Sequence, residues 1–200
     1  MAIIIEPLTG AELKAALPSL AELRIAVFRA YPYLYDGTLA YEQDYLARFA
    51  AADGAIVVAA RDAGRIIGVA TGAPLGGHTA SFVPLFAKHG IDPDTIFYFG
   101  ESVLLPPYRG QGFGHAFFDH REAHARRCPG ANGPFTRTAF CGVIRPSDHP
   151  AKPADYRPLD AFWMKRGYSK IDGLIGTYSW RDIGETTDTA KPMQFWFKDL

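Results

Sequence analysis

The sequence has little of what marks several specialised classes of protein. It holds two cysteines in 200 residues, Cys128 and Cys141, and these form neither a CxxC pair nor a Cys/His zinc spacing. No stretch approaches the ~20 uninterrupted apolar residues of a membrane-spanning helix, and no basic region precedes the isoleucines near the start. These absences predict free, reduced thiols, no membrane partner and a cytoplasmic location.

An excess of charge of one sign is also missing. The 21 Lys and Arg residues balance the 21 Asp and Glu residues, and no block of like charge interrupts the chain. Proteins that bind nucleic acid usually carry a basic patch, so the sequence predicts no nucleic-acid partner. The length and the 48% hydrophobic content predict one globular domain over residues 1–200.

Hydrophobic periodicity predicts a mixed α/β (α+β) fold, a sheet flanked by helices in the order β-α-α-β-β-β-α-β-α-β-β. A capping box from Thr9 to Glu12 is expected to begin the first helix, and Pro18 to interrupt it. The predicted strands cover residues 3–6, 55–60, 66–73, 95–104, 135–143, 175–181 and 193–198, and the predicted helices cover residues 9–30, 39–51, 115–127 and 159–166.

The most informative pattern is a glycine-rich run between the fourth predicted strand and the helix after it. Glycines let the main chain approach a ligand and adopt positive φ without a Cβ clash. The first turn of the helix adds unpaired N–H groups and the positive end of its dipole. The run therefore favours binding of an anion such as a diphosphate, through Arg109, Gly110, Gln111, Gly112, Phe113 and Gly114.

Other interpretations of this run are less favourable. A dinucleotide fingerprint needs G-x-G-x-x-G, but the sixth position is His115 when counted from Gly110 and Phe117 when counted from Gly112. A Walker A loop needs Lys-Ser or Lys-Thr after its last glycine, and none follows here. A flexible connection with no ligand stays open as the alternative.

The segment from Leu104 to Gly114, with Pro106-Pro107 ahead of Arg109, resembles the signature of the GCN5-related N-acetyltransferases (GNAT). The resemblance extends to the order of elements and to Gly167-Tyr168 after the last helix. It implies a GNAT-like, mostly antiparallel central sheet and acetyl-CoA as cosubstrate. It also implies that residues 109–114 bind the pyrophosphate, and that the backbone of Val103 and Leu104 pairs with the pantetheine arm.

Two positions depart from the family pattern. Tyr156 and Trp163 stand where the family often has an asparagine and a tyrosine, counted back from Gly167. In many members that tyrosine protonates the departing thiolate, and an indole N–H is not a usable acid. The acid for the leaving group therefore has to be another residue or solvent, or is absent.

Glu101 is the first candidate for general base. It lies inside an apolar run three residues before Leu104, and an acid is costly to bury there without a task or a partner. A salt bridge at a strand end is the alternative interpretation. The resemblance also implies that a backbone N–H at Leu104 polarises the thioester carbonyl.

The acceptor side is predicted from Tyr31, Tyr33 and Tyr35, three tyrosines in five residues after the first helix. They can enclose the carbon skeleton of an amine and offer hydroxyl groups, or they can simply pack the helix junction. His149, in a proline-rich loop, is a second candidate for base or acceptor contact. His115, His120 and His124 share one helix, but the segment matches no zinc motif and is expected to face solvent, with no metal bound.

Together these observations predict an N-acetyltransferase that moves an acetyl or other acyl group from acetyl-CoA to a primary amine, by direct attack in a ternary complex. The acceptor can be a small molecule or a peptide. A non-catalytic acyl-CoA-binding or sensing module is the alternative, and a metallohydrolase using the histidine helix is a third. A homodimer is possible through the apolar segment of residues 195–197.

Overall fold

The computed structural model describes residues 3–78 and 80–200. Its strands are β1 (Ile4–Leu8), β2 (Ile56–Asp62), β3 (Arg65–Pro74), β4 (Ile96–Leu104), β5 (Pro129–Gly130), β6 (Gly133–Pro134), β7 (Arg137–Val143), β8 (Ser169–Trp180) and β9 (Thr189–Asp199). Its α-helices are α1 (Gly10–Phe28), α2 (Leu39–Ala50), α3 (Leu75–His78), α4 (Val83–Lys88), α5 (Phe113–Arg127) and α6 (Asp160–Lys165). None of the described helices combines the length and apolarity needed to span a membrane.

Seven strands form one sheet in the order β1-β2-β3-β4-β7-β9-β8. All neighbouring pairs are antiparallel except β4 and β7, which run parallel. That pairing covers only residues 96–98 of β4 against residues 137–139 of β7. Beyond this short ladder the two strands part, which opens a seam in the middle of the sheet. The predicted fold class is confirmed.

Helices cover both faces of the sheet. One buried cluster joins α1 and α2 to side chains of β2 and β3, including Leu20 and Leu46. A second joins α5 and α6 to the opposite face through aromatic residues such as Phe117 and Phe118. A third lies between α4 and the strands β8 and β9. Successive side chains of the central strands point to opposite faces of the sheet. Because helices cover both faces, these strands are apolar almost throughout.

The first helix differs from its prediction in two respects, the break expected at Pro18 and the cap expected from Thr9. Pro18 lies inside one continuous α1, and Thr9 makes no capping hydrogen bond with its side chain. Proline's φ suits a helix, although it removes one main-chain hydrogen bond. Leu13, Ala16 and Leu20 are buried on both sides of it, so packing on the sheet keeps one helix where local sequence predicts two.

Strand β4 carries a bulge beside the seam. Between the pairs Ala70 with Ser102 and Gly72 with Phe99, residue 71 of β3 faces both residues 100 and 101 of β4. The N–H of Glu101 leaves the regular ladder and donates to Thr71 Oγ1 at 3.0 Å. An extra residue re-aims side chains, and here it turns Glu101 into the space beneath α1 and α2.

Candidate active site

The seam between β4 and β7 exposes one edge of β4. Leu105 N donates to Ile67 O at 3.0 Å, and Val69 is opposite Val103. Because backbone groups of successive strand residues point to opposite edges, Val103 directs its N–H and carbonyl to β3. Leu104 directs its own into the seam. Of the two predicted backbone groups, only that of Leu104 is therefore available to a ligand strand.

The glycine loop follows this edge directly. Gly110 and Gly112 have φ of +77° and +86°, which glycine adopts without strain. In the described part of the chain, the N–H groups of residues 110–114 have no main-chain or side-chain acceptor. A Cβ built on Gly110 or Gly112 would meet nothing within 4 Å, so the loop is open on its outer side.

Side chains of the loop are held against its own backbone. Arg109 Nε donates to Leu104 O at 3.1 Å, and Gln111 Nε2 donates to Pro107 O at 3.3 Å. Gly112 is the N-cap residue of α5, a helix of 15 residues. The positive end of its dipole and the unpaired N–H groups point to the same place, which suits an anion.

Glu101 belongs to a buried cluster of three charged side chains. Arg24 of α1 donates through Nε to Glu42 Oε2 at 2.5 Å and through Nη1 to Glu101 Oε2. Tyr35 OH donates to Glu42 Oε1 at 2.8 Å, and Tyr45 OH to Glu101 Oε2 at 3.4 Å. The salt bridge considered for Glu101 therefore exists, at a bulge in mid-strand rather than at a strand end. Glu101 Oε1 is buried without a partner in the described structure.

The electrostatics of this cluster follow from burial and opposite charge. Burial alone lowers the pKa of Arg24, but Glu101, Tyr45 and Glu42 outweigh it and raise that pKa above its ordinary value. Burial also raises the pKa of Tyr45 and Tyr98. At neutral pH the arginine is charged, and both phenols keep their protons and can donate.

Aromatic side chains from several elements enclose a cavity of about 100 Å³ beside Glu101. Besides Arg24, Glu101 and Cys141, its walls include the side chains of Phe28, Tyr33, Tyr35, Tyr41, Tyr45, Tyr98, Tyr178 and Trp180. A larger groove of about 680 Å³ lies between α1 and the first strands and is lined by neither Glu101 nor the glycine loop. The smaller cavity is the better candidate for chemistry because Glu101, a carboxylate with one unpartnered oxygen, is among its wall residues.

The predicted acceptor residues divide into two groups. Tyr33 and Tyr35 line the cavity. Tyr31 does not; its ring packs against His149 at 5.7 Å and Tyr156 at 4.7 Å between centroids. Tyr31 and His149 therefore both lie outside the cavity wall.

Arg145 fixes the tyrosine segment in place. It donates to the carbonyls of Pro32 and Tyr33, each at 2.7 Å, and forms two hydrogen bonds to Asp182. The wall formed by Tyr33 is thereby tied to the end of β8. The sequence interpretation did not single out Arg145.

Four other features of the sequence analysis can be compared with the structure. Trp163 packs edge-on against Phe140 and Trp196 at 5.0 and 5.1 Å, so it is a core residue. His124 Nε2 donates to Gly54 O at 2.9 Å, and this side chain is half-buried rather than solvent-facing. In the described residues no group of three possible metal ligands converges. Residues 195–197 are buried in the sheet, so they do not form the exposed surface considered for a dimer.

Arg24 and Glu42 are the principal site residues that sequence reasoning missed. Both lie on the buried face of their helix, Arg24 four residues from Leu20 and Glu42 four residues from Leu46. A charged residue in an apolar stripe is costly unless it is paired. That pattern was the available signal, and it indicates a buried pair without naming the partners.

The comparisons agree with this architecture. The Acetyltransferase (GNAT) family profile matches residues 19–139, which is more than half of the chain. The chain therefore belongs to the GNAT acetyltransferase family, whose general chemistry is acyl transfer, and the resemblance inferred from its loop is confirmed. No curated protein matches significantly.

Solved structures show the same fold at low identity. A ribosomal-protein-alanine N-acetyltransferase from Brucella melitensis is 16% identical with a TM-score of 0.58, over 98% of this chain and 99% of that one. The acetyltransferase yncA from Salmonella typhimurium, solved with acetyl-CoA, is 14% identical with a TM-score of 0.56, over 100% and 95%. An acetyltransferase from Streptococcus agalactiae is 16% identical with a TM-score of 0.59, over 99% and 98%.

Proposed function

We propose that this protein is an N-acetyltransferase that moves the acetyl group of acetyl-CoA to a primary amine by direct attack in a ternary complex. The observation that carries the proposal is that three features lie along or directly after β4: open loop amides at residues 110–114, a backbone N–H of Leu104 that points into the seam, and the unpartnered Glu101 Oε1. Each corresponds to one requirement of the reaction.

The cofactor side rests on backbone groups. N–H groups of residues 110–114 bind the diphosphate at the start of α5. The pantetheine arm pairs with the open edge of β4 as an added strand, and the Leu104 N–H stabilises the oxyanion that forms on the thioester carbonyl. The yncA structure, which contains acetyl-CoA, supports the choice of carrier.

The acceptor side rests on Glu101. An ammonium gives one proton to Glu101 Oε1, and the neutral nitrogen attacks the thioester carbon. A C–N bond forms and the C–S bond breaks, with sulfur leaving as the thiolate. The amide nitrogen loses a second proton while the thiolate gains one, and Glu101 later releases its proton to solvent. Burial raises the pKa of Tyr98, so this phenol keeps its proton and can donate a hydrogen bond to the sulfur. The proton that the thiolate gains is the one lost by the amide nitrogen, passed directly or through solvent.

The test combines binding with turnover. We expect acetyl-CoA to raise the melting temperature of the protein, and a panel of primary amines to cause thiol release with formation of the acetylated amine by mass spectrometry. Glu101→Gln should lower kcat by about 100-fold or more and leave acetyl-CoA binding in place. Absence of any acetyl-CoA effect on melting would overturn the proposal.

Trp163 favours a second candidate, a non-catalytic acyl-CoA-binding or sensing module. Its indole packs in the core at the position where many family members have an acidic phenol. Tight acetyl-CoA binding without thiol release for any amine would favour this module over the enzyme.

A further inference from the structure

Two carboxylates, Glu42 and Glu101, belong to the buried cluster beside the cavity, and both bond one guanidinium, that of Arg24. The nearby cations Arg145 and Lys191 are paired with other acids. A second buried guanidinium, that of Arg121, offsets the remaining negative charge, but it bonds the main-chain carbonyl of Glu101 and not its carboxylate. Among the described residues, Arg24 is therefore the cation that bonds the Glu101 carboxylate.

Among the residues that the structure describes, one oxygen of the Glu101 carboxylate has no hydrogen-bond donor. Both oxygens of Glu42 and one of Glu101 accept hydrogen bonds. Glu101 Oε1 is the oxygen left without a donor in the described structure, on a residue only 6% exposed. A buried carboxylate oxygen without a donor is unfavourable, so the cavity is built for one N–H-bearing cation.

The walls restrict what that cation can carry. The cavity is narrow, about 100 Å³, which suits an ammonium on a slender carbon chain. Tyrosine and tryptophan faces bind ammonium groups and methylenes. Tyr41, 45% exposed, is an aromatic wall residue that reaches solvent, so the rest of an acceptor would pass along it.

We infer that the acceptor is a monoamine: one primary ammonium on an uncharged, apolar carbon skeleton, with the nitrogen on Glu101 Oε1. This inference rests on the proposed function. A carboxylate on the carbon next to nitrogen would be repelled by Glu101 and Glu42. A second ammonium finds no other unpaired carboxylate oxygen among the described wall residues.

The test compares amines that differ by one charged group. We use wild-type protein and measure kcat/KM for thiol release from acetyl-CoA. The kcat/KM of phenethylamine should exceed that of phenylalanine, which adds a carboxylate, by about tenfold or more. The kcat/KM of butylamine should exceed that of 1,4-diaminobutane, which adds an ammonium, by a similar factor. Equal or reversed ratios in both pairs overturn the inference even though turnover supports the enzyme.

Calorimetric titration of phenethylamine into the protein with CoA measures acceptor binding without turnover. Binding without thiol release upholds the acceptor class and overturns catalysis. Thiol release with diamines or amino acids, but no binding of either monoamine, overturns the acceptor class alone. No binding and no release overturns both.

A matched pair of variants locates the site. Glu101→Gln should weaken phenethylamine binding at least about tenfold because it removes the negative charge of Glu101 while keeping the shape of its side chain. Glu22→Gln, an exposed acid on α1, should leave binding unchanged. Equal binding by both variants places the amine elsewhere, and acetyl-CoA-induced stabilisation of Glu101→Gln verifies that it folds.

Discussion

Replacing Arg24 by methionine tests whether the buried cluster is held by charge. The change removes the cation that bonds both Glu42 and Glu101 and keeps an apolar chain against Tyr45. Removing one partner of a buried ion pair costs about 3–5 kcal/mol of unfolding free energy. We expect a loss of that size near neutral pH because two carboxylates then face each other.

Urea denaturation near neutral pH measures this loss; urea is preferred to guanidinium, which can occupy the vacated site. Arg29→Met, which removes an exposed arginine with an exposed partner, should cost less than ~1 kcal/mol. A loss for Arg24→Met as small as that for Arg29→Met would refute the reasoning.

Three further predictions concern other parts of the structure. Gly112→Ala and Gly64→Ala both place a Cβ at positive φ in open space, so each variant should lose about 1–2 kcal/mol of unfolding free energy. Only Gly112→Ala should weaken the stabilisation that acetyl-CoA produces, and equal weakening in both variants contradicts the loop assignment. Burial raises the pKa of the Cys141 thiol to about 12, although a hydrogen bond from Tyr98 opposes this. A disulfide reagent at mildly alkaline pH should therefore modify Cys128 first and Cys141 at least about tenfold more slowly. Mass spectrometry over a time course measures the two rates, and equal rates contradict this prediction. Arg121→Lys should lower kcat more than it raises the KM for acetyl-CoA. The buried guanidinium of Arg121 bonds the carbonyls of Thr71 on β3 and Glu101 on β4, which meet at the bulge, and lysine lacks the planar fork of arginine. An unchanged kcat contradicts a positioning role.

The backbone of the glycine loop could be predicted because its signals are local. Six consecutive residues, 109–114, encode a turn, a positive φ and a helix start, and the structure places those features where the sequence indicates them. The orientation of Leu104 and Val103 could not be predicted, because it depends on the register with β3. Pro18 shows the same limit: the burial of α1 on the sheet overrides a local signal to break the helix.

The acceptor side could not be predicted because its residues converge only through the fold. The tyrosines beside Glu101 come from the segment after α1, from α2, from β4 and from β8, and Arg24 and Glu101 are separated by 77 positions. What the sequence does contain is the cost: charged residues on the buried faces of α1, α2 and β4. Since each such residue needs a partner, three costly positions predict a paired cluster. With two acids and one base, that cluster keeps an unbalanced oxygen, and the unbalanced oxygen is what gives the cavity its preference for a cation.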